Sequence, residues 1–224
     1  TICAISTNGL TLDANLIFQL SGKKNSIINK LIELYFLLYQ PHSKLEHFRE
    51  GWGNDEIAFE VPGISIPCAS VHRGPHPNYH TNLDDFSCFS KKSFNNSKKI
   101  LKNIILNLDK NFKIKIKDWE GLICLASPHI NLYIEGLNIS GINQKSNIKE
   151  LSFLSKLIPE EKEYLKNNIE KLVNFNNRFQ SYLSFNENIT IIDLAYEFSL
   201  PVGFVKSYCE ILKDKGFVSL EYRC

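Results

Sequence analysis

Methionine is missing from all 224 residues, and residue 1 is a threonine that opens straight into TICAIS, an apolar run that reads as a buried strand. A chain that starts in the middle of its own sheet is expected to be the C-terminal part of a longer protein. Charge imbalance is missing too. With 26 basic side chains against 24 acidic ones, a net charge of +2 excludes bulk attraction to a polyanion. No run of about 18 apolar residues occurs, so no transmembrane helix is predicted. The front of the sequence lacks a basic segment followed by an apolar stretch and a small-residue cleavage site, so no targeting segment is read there. Cysteines stand at 3, 68, 88, 124, 209 and 224 without a CxxC pair, and Cys3, Cys68 and Cys124 lie in apolar runs, where a reduced thiol behaves as a small hydrophobe. Together these absences predict a soluble protein of a reducing, cytoplasmic setting.

What is present is 43% hydrophobic content over a length that suits one large domain or two modest ones. Residues 1–6 and 15–20 read as strands, separated by the turn signal Asn8-Gly9. From the capping residue Ser26, the apolar set Ile27, Ile28, Leu31, Ile32, Leu34, Tyr35 and Leu38 recurs at helical spacing, and Pro41 stops it. Residues 44–48 are expected as an edge strand. Residues 64–71, ISIPCASV, form the strongest core-strand candidate, although Pro67 removes one ladder hydrogen bond. Residues 92–110 follow as an amphipathic helix, with Lys98, Lys99 and Lys102 opposite its apolar face. This alternation is an α/β signature.

Beyond Asp109 the pattern changes. NFKIKIKDW alternates with period two, which predicts a half-exposed strand, and GLICLAS is a second apolar run. The Asn, Gly and Ser-rich stretch 138–147 marks a boundary, so the domains are drawn at 1–126, a linker and strand segment at 127–155, and a helical module at 156–224. In that module Pro159, Glu160 and Glu161 suit a first helical turn. Residues 189–198 and 202–215 then give two short helices around a turn, closed by Gly216 and the strand FVSLEY, which is the plan of a winged helix-turn-helix. From 189 onward, Lys206, Lys213, Lys215 and Arg223 face five acids, Asp193, Glu197, Glu210, Asp214 and Glu221. A DNA reader needs several phosphate-neutralising side chains, so a structural or protein-contacting module is expected and nucleic acid is not.

The densest chemistry lies in residues 51–85, GWGNDEIAFEVPGISIPCASVHRGPHPNYHTNLDD. Asp55, Glu56, His72, His76, His80, Asp84 and Asp85 fall within this one stretch, and all could hold a metal or move a proton. Gly74, Pro75 and Pro77 forbid a helix through HRGPHPNYH, so it must be a loop leaving a strand end, where ligand sites of open α/β sheets gather. His72 and His76 are read as loop histidines. His80, with Asp84 four residues on, could place one imidazole on a metal.

The combination NDEIAF, PGISIPCASVHR and YHTNLDDF resembles the C-terminal part of the zinc aminopeptidase and glutaminyl cyclase superfamily. Its nearest likeness there is to bacterial polysaccharide-biosynthesis proteins with an aminopeptidase-like domain and a C-terminal winged helix. The resemblance implies a three-layer α/β/α sandwich with a mixed sheet, incomplete at its N-terminal side. It implies zinc as cofactor, His80 as a zinc ligand, Asp84 as a support for the ligand loop, and Asp55 with Glu56 as acids that contact the substrate or shuttle a proton. A further aspartate ligand is expected after the strand that matches TICAIS. Thr7, Asn8 and Gly9 stand there, which leaves Asp13 as the nearest acid. The first His ligand, the bridging Asp and the general base of the superfamily lie upstream of Thr1, so this chain alone is expected to be inactive.

The function expected is therefore that of a zinc-dependent aminopeptidase-like hydrolase, cleaving an amide bond of a small peptide or an amino-sugar-linked substrate. Its alternatives are a degenerate binding or assembly protein in surface-polysaccharide biosynthesis and a winged-helix DNA regulator. No membrane partner is expected, and homo-oligomerisation stays open.

Overall fold

The computed structural model of the chain describes residues 3–51, 53–117, 121–134 and 152–222. It divides into two compact units, Thr1–Asp109 and Lys110–Cys224. This division falls ahead of the boundary expected at residue 126. The composition shift at 138–147 lies outside the described residues.

The first unit is a mixed α/β structure. Its four strands, β1 (Ala4–Asn8), β2 (Leu16–Gln19), β3 (Lys44–Glu46) and β4 (Cys68–Arg73), lie in the order β1-β4-β2-β3. β1 runs parallel to β4, β4 antiparallel to β2, and β2 parallel to β3. Because β2 is interior and covered on both sides, all four of its residues, LIFQ, are buried.

Between β2 and β3 runs α1 (Ile27–Tyr39). Ser26 caps it by accepting the Asn29 amide at 3.3 Å, and the Gln40 amide closes on the Phe36 carbonyl at 3.0 Å before Pro41, which has no N–H to continue. Ile28, Leu31, Ile32, Leu34, Tyr35 and Leu38 are buried, as their spacing predicts. Each such aliphatic side chain contributes about 1.5–3 kcal/mol of transfer free energy. The helix expected at 92–110 is α3 (Lys91–Asp109), which packs on α1.

The strand expected at 64–71 is shifted. Val61 to Ser65 form a turn, with Ser65 at φ +50°, so the chain joins the sheet only at Cys68 and stays in it through Arg73. The short helix α2 (Ile57–Glu60) precedes this turn. Its Glu60 accepts the Cys68 amide at 2.8 Å and the Gly22 amide at 2.9 Å, which ties the start of β4 to the loop after β2.

The second unit contains α4 (Pro159–Asn167), α5 (Ile169–Phe185), α6 (Ile191–Phe198) and α7 (Val202–Asp214). The expected FKIKI strand is present as β5 (Phe112–Ile116). It belongs to this unit, paired antiparallel with β6 (Val218–Tyr222). GLICLAS is not a strand. Residues 121–134 turn repeatedly, and Cys124 is exposed rather than set in an apolar run. Thr190 and Asp193 cap α6 reciprocally, and Ser199 in the left-handed region ends it ahead of Pro201. The core is aromatic, with Phe175, Phe179, Phe204 and Tyr208 all buried. No helix among the described residues is long and apolar enough to cross a membrane.

Candidate functional site

Within the first unit, a cavity of about 800 Å³ opens where the parallel strands β1 and β4 end. Strand ends expose backbone and side chains without covering them, so open α/β sheets place ligands there. Asn8 and Gly9 reach the cavity from β1, His72 and Arg73 from β4, Glu46 from β3, and His76 and Asp84 from the loop that follows β4.

His72 is 4% exposed and belongs to the sheet, paired with Asn8 on β1 and with Ile17 on β2. This corrects its reading as a loop histidine. Ser70 lies two residues earlier on the same strand face, its hydroxyl 3.4 Å from His72 Nδ1. Burial pushes the His72 imidazole below its ordinary value of 6.5, and the carboxylates of Glu46 and Glu56 offset part of that shift.

Glu46 is 6% exposed. One carboxylate oxygen accepts Lys44 Nζ at 2.7 Å, while the other, Oε2, is buried without a hydrogen-bond partner. The backbone comes close on this side, because a Cβ at Gly51 would lie 2.5 Å from Glu46 Oε1. Gly9 is needed for two reasons: its φ is +56°, and a Cβ there would lie 2.9 Å from the Arg73 carbonyl. The Arg73 guanidinium is already engaged, donating to Ser97 Oγ at 2.9 Å and to the Ala14 carbonyl at 2.8 Å. It therefore braces the cavity rim.

The loop after β4 is knit by its own short-range bonds. Thr81 Oγ1 donates to the Asn78 carbonyl at 2.7 Å, and Asp85 accepts the Ser87 amide at 2.8 Å to cap a turn over Phe86–Cys88. This folding places His76 Nε2 3.8 Å from Asp84 Oδ1, and Cys88 completes a group of three donors within 4.8 Å of one another.

The residues singled out from the sequence are scattered around this cavity. Asp84 lines it. Glu56 is 1% exposed, but its carboxylate is occupied by the Asn54 amide at 2.8 and 2.9 Å and by Arg49 at 3.4 Å, an arrangement that holds a turn. Asp55 is exposed in the same turn. His80 is exposed at φ +63° with its ring stacked on Tyr79, and Asp13 is exposed near Arg73. A zinc ion takes three or four donors, and among the described residues neither His80 nor Asp13 belongs to a group of three. Two ligands supplied by this chain would need further donors to complete a zinc site. Glu46 was passed over in the sequence because a single acid in a short edge strand carries no spacing signal.

Residues 5–111, a little under half of the chain and nearly coincident with the first unit, match a family model described as a domain of unknown function, DUF4910. No curated protein matches. Among solved structures the chain is similar to the crystal structure of a "putative peptidase" from Clostridium acetobutylicum, at 15% identity and a TM-score of 0.57, covering 96% of this chain and 41% of that one. At this identity the likeness is one of fold, a mixed α/β fold, and the chain spans less than half of the neighbour's length.

Proposed function

We propose that the cavity at the ends of β1 and β4 receives the free amine of an aminoacyl or amino-sugar amide, and that the protein is an aminopeptidase-like hydrolase. The observation that carries this is Glu46 Oε2, a carboxylate oxygen buried without a partner on the cavity wall. Leaving a charged acceptor half-satisfied costs free energy that an ammonium group entering the cavity restores. His72 is held largely neutral beside it and is able to accept a proton. The likeness in fold to that solved structure supports the reaction class. The sequence resemblance supports the finer terms: a three-layer sandwich, zinc dependence, and a winged helix formed by α6, α7 and β6 that contacts protein. Glu46 and the cavity account for the substrate end of such an enzyme and not for its metal, so no step here runs through zinc.

The test is calorimetric titration of the chain with an aminoacyl amide and with its N-acetylated counterpart. Binding of the free amine alone, lost in Glu46→Gln, is expected. Equal binding of both compounds, or of neither, overturns the reading. A second reading is a degenerate binding protein. It is favoured because β1 ends in Asn8 and Gly9 at the cavity, where the resemblance expects a carboxylate. Amine binding without turnover by the intact protein would establish it, and turnover with bound zinc would remove it.

A further inference from the structure

We infer that His76, Asp84 and Cys88 form a binding site for a divalent cation of the zinc class, distinct from the His80 and Asp13 ligands that the sequence resemblance implies. The donor atoms of the three residues all lie within 4.8 Å of one another. His76 Nε2 is shielded from solvent and has no hydrogen-bond partner, although the Asp84 carboxylate oxygen lies 3.8 Å away. That gap is too long for a hydrogen bond. It is close to the separation of two donors on one tetrahedral zinc, roughly 3.4–3.7 Å for bonds of about 2.0–2.3 Å. The widest spacing in the group, no more than 4.8 Å, needs a contraction of at most roughly 1 Å to match.

The donor set is one imidazole nitrogen, one carboxylate oxygen and one thiol sulfur. With the thiol ionised it carries two negative charges, which a divalent ion neutralises, and its mixture of nitrogen, oxygen and sulfur suits zinc or cobalt rather than magnesium or calcium. The thiol now donates to the Leu83 carbonyl at 3.5 Å and accepts from Asn78 Nδ2 at 3.7 Å. On metal binding the thiol proton leaves to solvent and the sulfur turns from the carbonyl to the ion. His76 binds as the neutral imidazole through Nε2. Three protein donors leave a fourth position for water, and His76 and Asp84 also line the cavity, which puts the cation at the cavity wall.

The experiment is titration of the chelator-treated full chain with cobalt(II), read by absorption. One equivalent is expected to produce a thiolate-to-cobalt charge-transfer band, which zinc then bleaches. Cys88→Ser removes the band, and His76→Ala weakens binding by about tenfold or more. His80→Ala and Cys124→Ser leave both band and affinity unchanged. Absence of the band at one equivalent overturns the inference, as does its survival in Cys88→Ser or its loss in His80→Ala. Because the readout is the metal's own spectrum, the inference can fail while amine binding at Glu46 stands, and the reverse.

Discussion

Buried polar groups at the cavity of the first unit and in the core of the second are treated in opposite ways. In the second, Asn176 makes all the bonds its amide can reach: it accepts the Ile134 amide at 3.2 Å and donates to the Leu132 carbonyl at 2.9 Å and to Tyr208 Oη at 3.0 Å. Glu161, 5% exposed, accepts the Gly203 amide at 3.2 Å and the Ile158 amide at 3.4 Å. In the first unit, Glu46 Oε2 and His76 Nε2 are buried without partners, and their residues line one cavity. Satisfied polarity inside an aromatic core holds a structure together. Orphaned polarity around a cavity at strand ends is what a ligand site retains.

The contrast breaks most visibly at the aromatic core. Phe175 is fully buried, with the rings of Phe179, Phe198, Phe204 and Tyr208 within 5.8 Å of its own, so Phe175→Ala should cost about 3–5 kcal/mol in urea unfolding. Amine binding in the first unit should be unchanged under native conditions. Loss of binding in step with stability would show that the division of labour is mistaken. A smaller effect is expected from Gly51→Ala. Its methyl would press on the Glu46 carboxylate and should weaken amine binding about tenfold, or ~1.4 kcal/mol, with little change in the unfolding midpoint. Unaltered affinity would remove Glu46 from the site.

The smallest effect is in pH, and its sign differs between the units. Burial lowers the pKa of His72 below its ordinary 6.5, so the native state holds fewer protons there than the unfolded one. The stability linked to His72 is full above pH 6.5 and is lost as pH falls through that value toward the lower folded one. Burial raises Glu161 above its ordinary 4.5, with Lys110 opposing, so its contribution is full below pH 4.5 and is lost as pH rises through the higher folded value. Denaturant midpoints followed against pH should show His72→Asn flattening the acidic fall and Glu161→Gln flattening the fall above 4.5. Curves that neither substitution alters would dissolve the contrast.

Where the physics is local, the elements were legible. Ser26 and Pro41 fix the ends of α1, and the apolar spacing of α1 and α3 names their buried faces, because capping and helical period act over a few residues. The strand at 68–73 was misplaced by four residues at its start. Glu60, which holds the start of this strand through the Cys68 amide, also clasps Gly22, 38 residues earlier, and no local pattern encodes that contact. The division into units at Asp109 is no more legible locally, since β5 pairs with β6, about a hundred residues later.

By itself the sequence determined an α/β first half, a helical second half, and a stretch from Gly51 to Asp85 dense in groups able to hold a metal or move a proton. Only the tertiary structure decided which of those groups meet. It set His80 on the surface, drew His72 into the sheet, brought His76, Asp84 and Cys88 together, and raised Glu46 to the cavity wall. A donor set is fixed by where strand ends and loop turns place side chains in space, and spacing along the chain does not encode that.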